Sequence, residues 1–265
     1  QALIRTGKVA VNQQLVDKPG TEVDMAATIQ IKERSRFVSR GGEKLAKALE
    51  VFAIPVTGRI CLDGGISTGG FTDCLLQAGA AQVYGIDVGY GQADWGLRND
   101  PRVILKERTN LRYMTAAELY GDSGRADLAV VDVSFISLDK ILPALWELLT
   151  PPKEAVLLVK PQFEVGRERV GKKGVVRDSA TQADAIFQVW KAATALGWEE
   201  RGLTWSPLLG PAGNIEYLLW LGIDRQQQSD QNAVEEGVVK ERISQVTQAA
   251  RRELVNPASN LSVSE

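Results

Sequence analysis

Four ionisable residues that are far apart in the sequence each lie on a predicted helix or beside an apolar, strand-like run. Where such runs form a parallel sheet, the side chains next to their ends meet in one crevice. Two lysines and two carboxylates in that crevice predict acid–base chemistry. Lys160 is the candidate base, acting in a neutral form that burial and the cation of Lys44 favour, and the carboxylates orient the two lysines. The four residues are Lys44, Asp132, Lys160 and Glu216.

A second candidate site is the glycine-rich segment 63–72, which leads into a predicted helix. Glycines let the backbone approach a ligand, and the first N–H groups of a helix are free donors. The segment lacks both the Lys-Ser/Thr of a phosphate loop and the Gly-x-Gly-x-x-Gly spacing. Asp87 ends the next strand, where a carboxylate accepts the hydroxyls of a ribose. The predicted cofactor residues are Asp63, Gly65, Ser67, Thr68, Gly69, Gly70, Phe71, Asp87, Val88, Thr109 and Asn110.

A plainer interpretation of these residues stays open. Asp63 and Asp87 are also suited to capping helices, and Thr109 and Asn110 are common in turns.

The elements that position these residues alternate between apolar runs and helical stretches. This alternation predicts an α/β fold with a doubly wound, mostly parallel sheet. A helix is predicted over 39–52, with Ser39 as its cap, and another over 233–254. The predicted strands are 60–62, 83–86, 103–105, 128–131, 155–159 and 217–221.

Composition excludes several classes of protein. Hydrophobic residues make up 44% and charged residues 24%, and no apolar run approaches the ~20 residues of a membrane span. The absence of histidine excludes Ser-His-Asp hydrolysis and histidine-ligated metals. No metal site is predicted. Cys61 and Cys74 are expected to be reduced, and the lack of a leader before Gln1 predicts a piece of a longer cytoplasmic protein.

The amino-terminal segment is basic, although the whole chain carries a net charge of −2. Residues 1–47 hold nine lysines and arginines against five acidic residues. Such asymmetry predicts an RNA-docking module beside an acidic body. Two short strands are predicted around 8–12 and 27–31, with a turn at 18–20, after a helix that ends at Gly7. The candidate RNA-binding residues are Lys8, Lys18, Arg36 and Arg40.

Residues 2–20 resemble the carboxyl half of an S4-type RNA-binding domain, with Gln13 where that family usually has a turn glycine. Further motifs, including 39–45, 63–72, 132–138, 160–166 and 213–217, resemble the TlyA/haemolysin A family up to about Ile223. The resemblance implies a truncated S4-like module joined to a seven-stranded, FtsJ-like methyltransferase. It implies S-adenosylmethionine as cofactor and ribose 2′-hydroxyls of cytidines in ribosomal RNA as substrate. It also carries the Lys-Asp-Lys-Glu tetrad onto Lys44, Asp132, Lys160 and Glu216.

This resemblance sets the expected organisation: a partial S4-like module over 1–34, a linker with the first helix over 35–57, a methyltransferase domain over 58–224, and a helix and tail over 225–265. The expected partner is ribosomal RNA or a ribosomal subunit in the cytoplasm, without a membrane. Ile66 stands where the family usually has a small residue, which predicts a narrowed methionine end of the cofactor pocket.

Two other functions are open alternatives. The first is an RNA-binding or ribosome-assembly module with an inactive methyltransferase fold. The second, less favoured, is a haemolysin, for which only the segment 233–254 offers an amphipathic element. Base methylation is disfavoured, because 132–135 lacks paired prolines and neither cysteine lies near the target pocket.

Overall fold

A computed structural model describes residues 1–5, 8–31, 35–223 and 235–255. The chain divides into two compact units, Gln1–Arg36 and Phe37–Glu265. Within the described ranges, no helix has the length and apolar character needed to cross a bilayer.

The first unit is a small antiparallel sheet in the order β2-β1-β3. The elements are helix α1 (Ala2–Arg5) and strands β1 (Val9–Val11), β2 (Gln14–Val16) and β3 (Ile29–Ile31). Asn12 and Gln13 join β1 to β2 with φ values of 48° and 69°. A type I′ hairpin turn needs positive φ at both central positions, so Gln13 holds a conformation that suits glycine better. Strand β2 was absent from the sequence prediction, and the predicted break at Gly7 lies outside the described residues.

The second unit is built on a seven-stranded sheet in the order β6-β5-β4-β7-β8-β10-β9. Strands β4 to β8 are parallel, whereas β10 runs antiparallel to both β8 and β9. The doubly wound, mostly parallel fold is thereby confirmed. The strands are β4 (Ile60–Gly64), β5 (Gln82–Ile86), β6 (Val103–Lys106), β7 (Leu128–Val131), β8 (Glu154–Val159), β9 (Glu199–Trp205) and β10 (Tyr217–Gly222).

Helices cover both faces of this sheet, which explains why its central strands are apolar along their whole length. Every residue of β7 is buried. The helices are α2 (Gly41–Val51), α3 (Gly70–Gln77), α4 (Trp95–Arg98), α5 (Ala116–Tyr120), α6 (Leu142–Leu148), α7 (Pro161–Glu164), α8 (Ser179–Ala195) and α9 (Glu236–Leu254). Short 3₁₀ turns lie at Leu111–Tyr113, Leu138–Lys140, Arg167–Arg169 and Lys172–Gly174.

Two helix boundaries differ from the sequence prediction. Helix α2 begins after Arg40 as N-cap, without a side-chain cap. Ser39 was wrong as the cap, because it contributes its carbonyl oxygen to Gly42 N at 3.1 Å instead. Helix α9 matches the predicted carboxyl-terminal helix from Glu236 onward, and the predicted positions 233 and 234 lie outside the described residues.

Candidate active site

The glycine-rich segment forms a tight turn between β4 and α3. Gly65 has a φ of 87° and Gly69 a φ of 98°, and Ser67 shares this left-handed region at 48°. A Cβ on Gly65 would stand 2.4 Å from the carbonyl oxygen of Asp132. Only glycine therefore fits where this turn passes the end of β7.

Asp63 is the last polar side chain of β4 and is fully buried. Its Oδ2 accepts a hydrogen bond from Thr72 Oγ1 at 2.6 Å, which ties the strand to the first turn of α3. Oδ1 has no hydrogen-bond partner within the described part of the chain. Burial raises the pKa of this carboxyl to about 7, against the opposing effect of the Thr72 hydrogen bond. Asp63 therefore stabilises the turn by joining the end of β4 to the first turn of α3.

Asp87 follows β5 and holds the next loop. Its Oδ2 accepts from Ser67 N at 2.7 Å, and its Oδ1 accepts from Gly89 N at 2.7 Å. Each carboxylate oxygen offers more than one lone pair, so these two bonds leave acceptor capacity for hydroxyl groups. Thr109 N donates to Asp87 O, and Asn110 Oδ1 accepts from Arg112 N. Thr109 thus has a turn contact and Asn110 caps the 3₁₀ turn Leu111–Tyr113, as considered for them. Asp87 binds loop N–H groups and is not the N-cap of any described helix.

A cavity of about 220 Å³ opens beside this turn. Five of the predicted cofactor residues line it: Gly65, Ser67, Thr68, Gly70 and Phe71. The other six do not belong to its lining: Asp63, Gly69, Asp87, Val88, Thr109 and Asn110. Arg40, predicted as an RNA-binding residue, lines this cavity as well.

Ile66 also belongs to this lining but is 4% exposed. Its Cδ1 lies 2.5 Å from the point where a Cβ on Gly85 would stand. The side chain thus packs on strand β5. The expected narrowing of the methionine end stays a prediction.

The four ionisable residues of the tetrad form two ion pairs. Lys44 Nζ lies 2.5 Å from Glu216 Oε2, and Lys160 Nζ lies 2.6 Å from Asp132 Oδ1. The side chain of Glu216 is 1% exposed and that of Asp132 is 24% exposed. The carboxylate of the first pair is therefore almost fully buried, whereas the carboxylate of the second pair is partly exposed.

The fold places both pairs at one edge of the sheet. Asp132 and Lys160 follow the carboxyl ends of parallel strands β7 and β8, while Lys44 is supplied by α2. Glu216 precedes β10, and because that strand is antiparallel, its beginning lies at the same edge. This register explains how four distant positions meet.

A second, larger cavity of about 960 Å³ adjoins the first. Lys44, Ser67, Asp132 and Pro211 line both cavities, so the tetrad lies at their junction. Its lining includes all four tetrad residues and two aromatic rings, Phe135 and Phe163. This volume lies in the range of sites that hold small molecules or single groups of a larger ligand.

Three residues near the tetrad were missed by sequence reasoning. Ser134 Oγ accepts from Lys160 Nζ at 2.9 Å. Glu164 accepts from Ser137 in the loop after β7. Asn214, two residues before Glu216 in the sequence, accepts from Val176 N and donates to Gly174 O. All three lie within the motifs 132–138, 160–166 and 213–217 that resemble the TlyA/haemolysin A family. A polar side chain within four residues of a tetrad residue was the sequence signal that could have identified each of them.

The other predicted RNA-binding residues lie in the first unit. Lys18 and Arg36 are exposed, and Lys8 is half-buried. Their role in RNA binding stays a prediction.

The two cysteines are both buried and unbonded to each other. Burial raises the pKa of the Cys61 thiol to about 12. Cys61 is therefore a thiol at neutral pH and a poor nucleophile.

The order of the strands, with β10 antiparallel beside β8, defines a protein with the methyltransferase fold. The family model described as FtsJ-like methyltransferase matches residues 37–223, and this chain belongs to that family.

Three similar proteins carry informative names. The 16S/23S rRNA (cytidine-2'-O)-methyltransferase TlyA of Mycobacterium tuberculosis is 48% identical over 89% of this chain and 88% of its own length. Hemolysin A of Brachyspira hyodysenteriae is 41% identical over 82% of this chain and 90% of its own length. A solved structure from Streptococcus thermophilus, whose name contains the word hemolysin, is 41% identical, with a TM-score of 0.79 over 97% of this chain and 90% of that one.

Proposed function

We propose that this chain is an S-adenosylmethionine-dependent methyltransferase acting on ribose 2′-hydroxyls of cytidines in ribosomal RNA. The observation that carries the proposal is the pair of lysine–carboxylate contacts at the junction of the two cavities. Membership of the FtsJ-like family and the names of the TlyA relatives support the reaction and the substrate.

The residues around the smaller cavity fit the proposed cofactor. Six residues of the turn line it, and two of them, Gly65 and Gly70, have only backbone groups to offer to a carboxylate or an amino group of a ligand. Asp87 lies outside this lining, but it accepts from Ser67 N at 2.7 Å, so its remaining lone pairs are next to the turn and suit a ribose diol. S-adenosylmethionine, when bound, supplies a methyl group on a positively charged sulfur.

Lys160 is proposed as the group that takes the proton of the ribose hydroxyl. A neutral amine keeps two N–H donors and one lone pair, and Lys160 Nζ has two acceptors within reach, Asp132 Oδ1 and Ser134 Oγ. Both donors are then occupied, so the lone pair is left for the hydroxyl in the larger cavity. As the hydroxyl oxygen accepts the methyl group, its proton would move to Lys160 Nζ, and Asp132 would stabilise the resulting cation.

Lys44 and Glu216 are proposed to orient rather than to accept the proton. Lys44 is locked by a carboxylate that is almost fully buried. A Cβ on Gly210 would stand 2.6 Å from Glu216 Oε1, so the backbone also confines this carboxylate. Lys44 therefore presents a fixed positive charge to the junction of the cavities.

Docking on RNA is proposed for the basic residues Lys8, Lys18, Arg36 and Arg40, and the site of action is proposed to be the cytoplasm. Phosphate contacts of this kind depend on salt, because each one releases counterions. The domain limits expected from the sequence remain part of the proposal.

The test is transfer of a labelled methyl group from S-adenosylmethionine to purified ribosomal subunits and to naked ribosomal RNA. We expect one cytidine to become resistant to alkaline cleavage, with Lys160→Ala slower by about 100-fold or more. Lys191→Ala is the matched control, since Lys191 is exposed on α8 and pairs with Glu236, the first residue of α9.

Label in a base rather than a ribose, or an undiminished rate in Lys160→Ala, would contradict the proposal. RNA binding without any methyl transfer would instead favour the inactive binding module.

A further inference from the structure

Glu164 is a half-buried carboxyl next to the site, and the proposed reaction gives it no role. It ends the short helix α7, four residues after Lys160. Its Oε2 accepts from Ser137 Oγ at 2.5 Å, and its Oε1 accepts from Leu138 N at 3.1 Å. Burial raises the pKa of Glu164 to about 7.

These contacts join the two loops that carry the proposed base and its partners. Near the strands, Lys160 binds Asp132 and Ser134. At the far end of the same loops, Glu164 binds Ser137 and Leu138. The segments 132–138 and 160–164 therefore form a ring that is closed at two points.

A strained residue lies within this ring. Phe135 has a φ of 66° and its side chain is 91% exposed. Its ring centroid lies 5.1 Å from that of Phe163, a tilted aromatic contact. A non-glycine residue in the left-handed region is strained and persists only where its surroundings fix it. The second closure, at Glu164, restrains the loop on the side away from the strand.

We infer that Glu164 is a positioning residue for the proposed methyl transfer: by clamping the loop 132–138 to α7, it holds Asp132 and Ser134 against Lys160 Nζ. The inference rests on the proposed function. It requires two hydrogen bonds and no negative charge, since a glutamine side chain offers an acceptor to Leu138 N and a donor to Ser137 Oγ.

The test compares Glu164→Ala with Glu164→Gln. Misplacement of reacting groups by about 1 Å costs on the order of 100-fold in rate, and we expect a loss of that order in kcat for Glu164→Ala. The glutamine variant is expected to stay within about threefold, as it keeps both hydrogen bonds. KM for S-adenosylmethionine is expected to change far less than kcat in both, because the ring contributes Asp132 to the lining of the smaller cavity, whereas the other lining residues lie outside the ring.

The matched control is Glu154→Ala. Glu154 is a carboxylate at the beginning of strand β8, the end away from Lys160, where it accepts from Arg59. It is expected to lower the melting temperature without changing kcat of the folded protein. A loss in Glu164→Ala that this control reproduces at equal loss of stability would overturn the inference.

A readout independent of activity is hydrogen exchange of the segment 132–140. Glu164→Ala is expected to accelerate exchange there, and Glu164→Gln is not, because local opening follows loss of the clamp. If Glu164→Ala does not fold, Ser137→Ala removes the same contact from the other side and is expected to accelerate exchange likewise.

Unchanged exchange, or equal losses of kcat in the alanine and glutamine variants, would overturn the inference. If the unaltered protein transfers no methyl to RNA, the proposed function fails, while hydrogen exchange still decides whether Glu164 is a clamp.

Discussion

Two ionic clusters lie at opposite ends of the same strands. At the amino ends, Arg59 donates to Asp127 Oδ1 at 2.7 Å and to Glu154 Oε2 at 2.5 Å. At the carboxyl ends, Lys160 pairs with Asp132, and Lys44 pairs with Glu216. Both clusters join neighbouring elements of one sheet by buried or half-buried charges.

The difference lies in the cation. Burial opposes the charge of Arg59, but its hydrogen bond to Asp127 and the attraction of Glu154 raise its pKa above the usual value. An arginine so placed cannot exchange protons, and it offers a planar set of donors that fixes geometry. A lysine is a compact cation that can give up a proton when its surroundings allow. The comparison predicts that substitutions in the Arg59 cluster lower the free energy of unfolding, whereas substitutions at Lys160 lower the rate of methyl transfer.

The largest effect on stability is expected for Arg59→Met. Removing the cation of this half-buried cluster is expected to cost more than the ~1 kcal/mol of a surface ion pair and at most the ~3–5 kcal/mol of a buried one, because Asp127 and Glu154 would be left without it. We expect the free energy of unfolding in urea to fall by an amount in that range. The kcat of the folded protein is expected to stay within about twofold, because Arg59 lies at the other end of the strands.

A loss of kcat in Arg59→Met comparable to that of Lys160→Ala, measured where both variants are folded, would break the comparison.

A smaller effect is expected at Asp63, which lies on β4 at the opposite end from Arg59 and has no cation partner among its described contacts. Its raised pKa of about 7 means that the folded protein holds this proton to higher pH than the unfolded chain does. Its contribution to stability is therefore present at low pH and is lost as pH rises from about 4 to 7.

Asp63→Asn cannot lose a proton, and its amide oxygen still accepts from Thr72. We expect its free energy of unfolding, relative to the unaltered protein, to increase between pH 5 and pH 7 by about 1.4 kcal/mol or more. Urea unfolding at a series of pH values measures this difference, in which other titrating groups such as Glu164 cancel. Parallel curves would show that Asp63 does not titrate in this window.

Much of the second unit could be predicted from the sequence, because its central strands are buried on both faces and are therefore continuously apolar. The edge strand β9 could not, since Glu199, Glu200 and Arg201 give it a polar beginning. In the first unit, β2 was missed because its hairpin turn uses Gln13, at a φ of 69°, where glycine is the usual signal.

The tetrad could be predicted because each member adjoins a clear element and a resembling motif. How its members pair could not, because pairing depends on the antiparallel register that brings Glu216 to the carboxyl ends of the parallel strands. The clamp at Glu164 was missed for a similar reason: its partners Ser137 and Leu138 are neighbours only after β7 and β8 align.

The most direct test is the single-turnover rate of methyl transfer by Lys160→Arg, with cofactor affinity and melting temperature measured alongside. Arginine places a permanent cation beside Asp132 but does not act as a base near neutral pH. We predict a rate as low as that of Lys160→Ala, about 100-fold or more below the unaltered protein. A rate within about tenfold of the unaltered protein would contradict the account, because the site would then need a charge and not a proton acceptor.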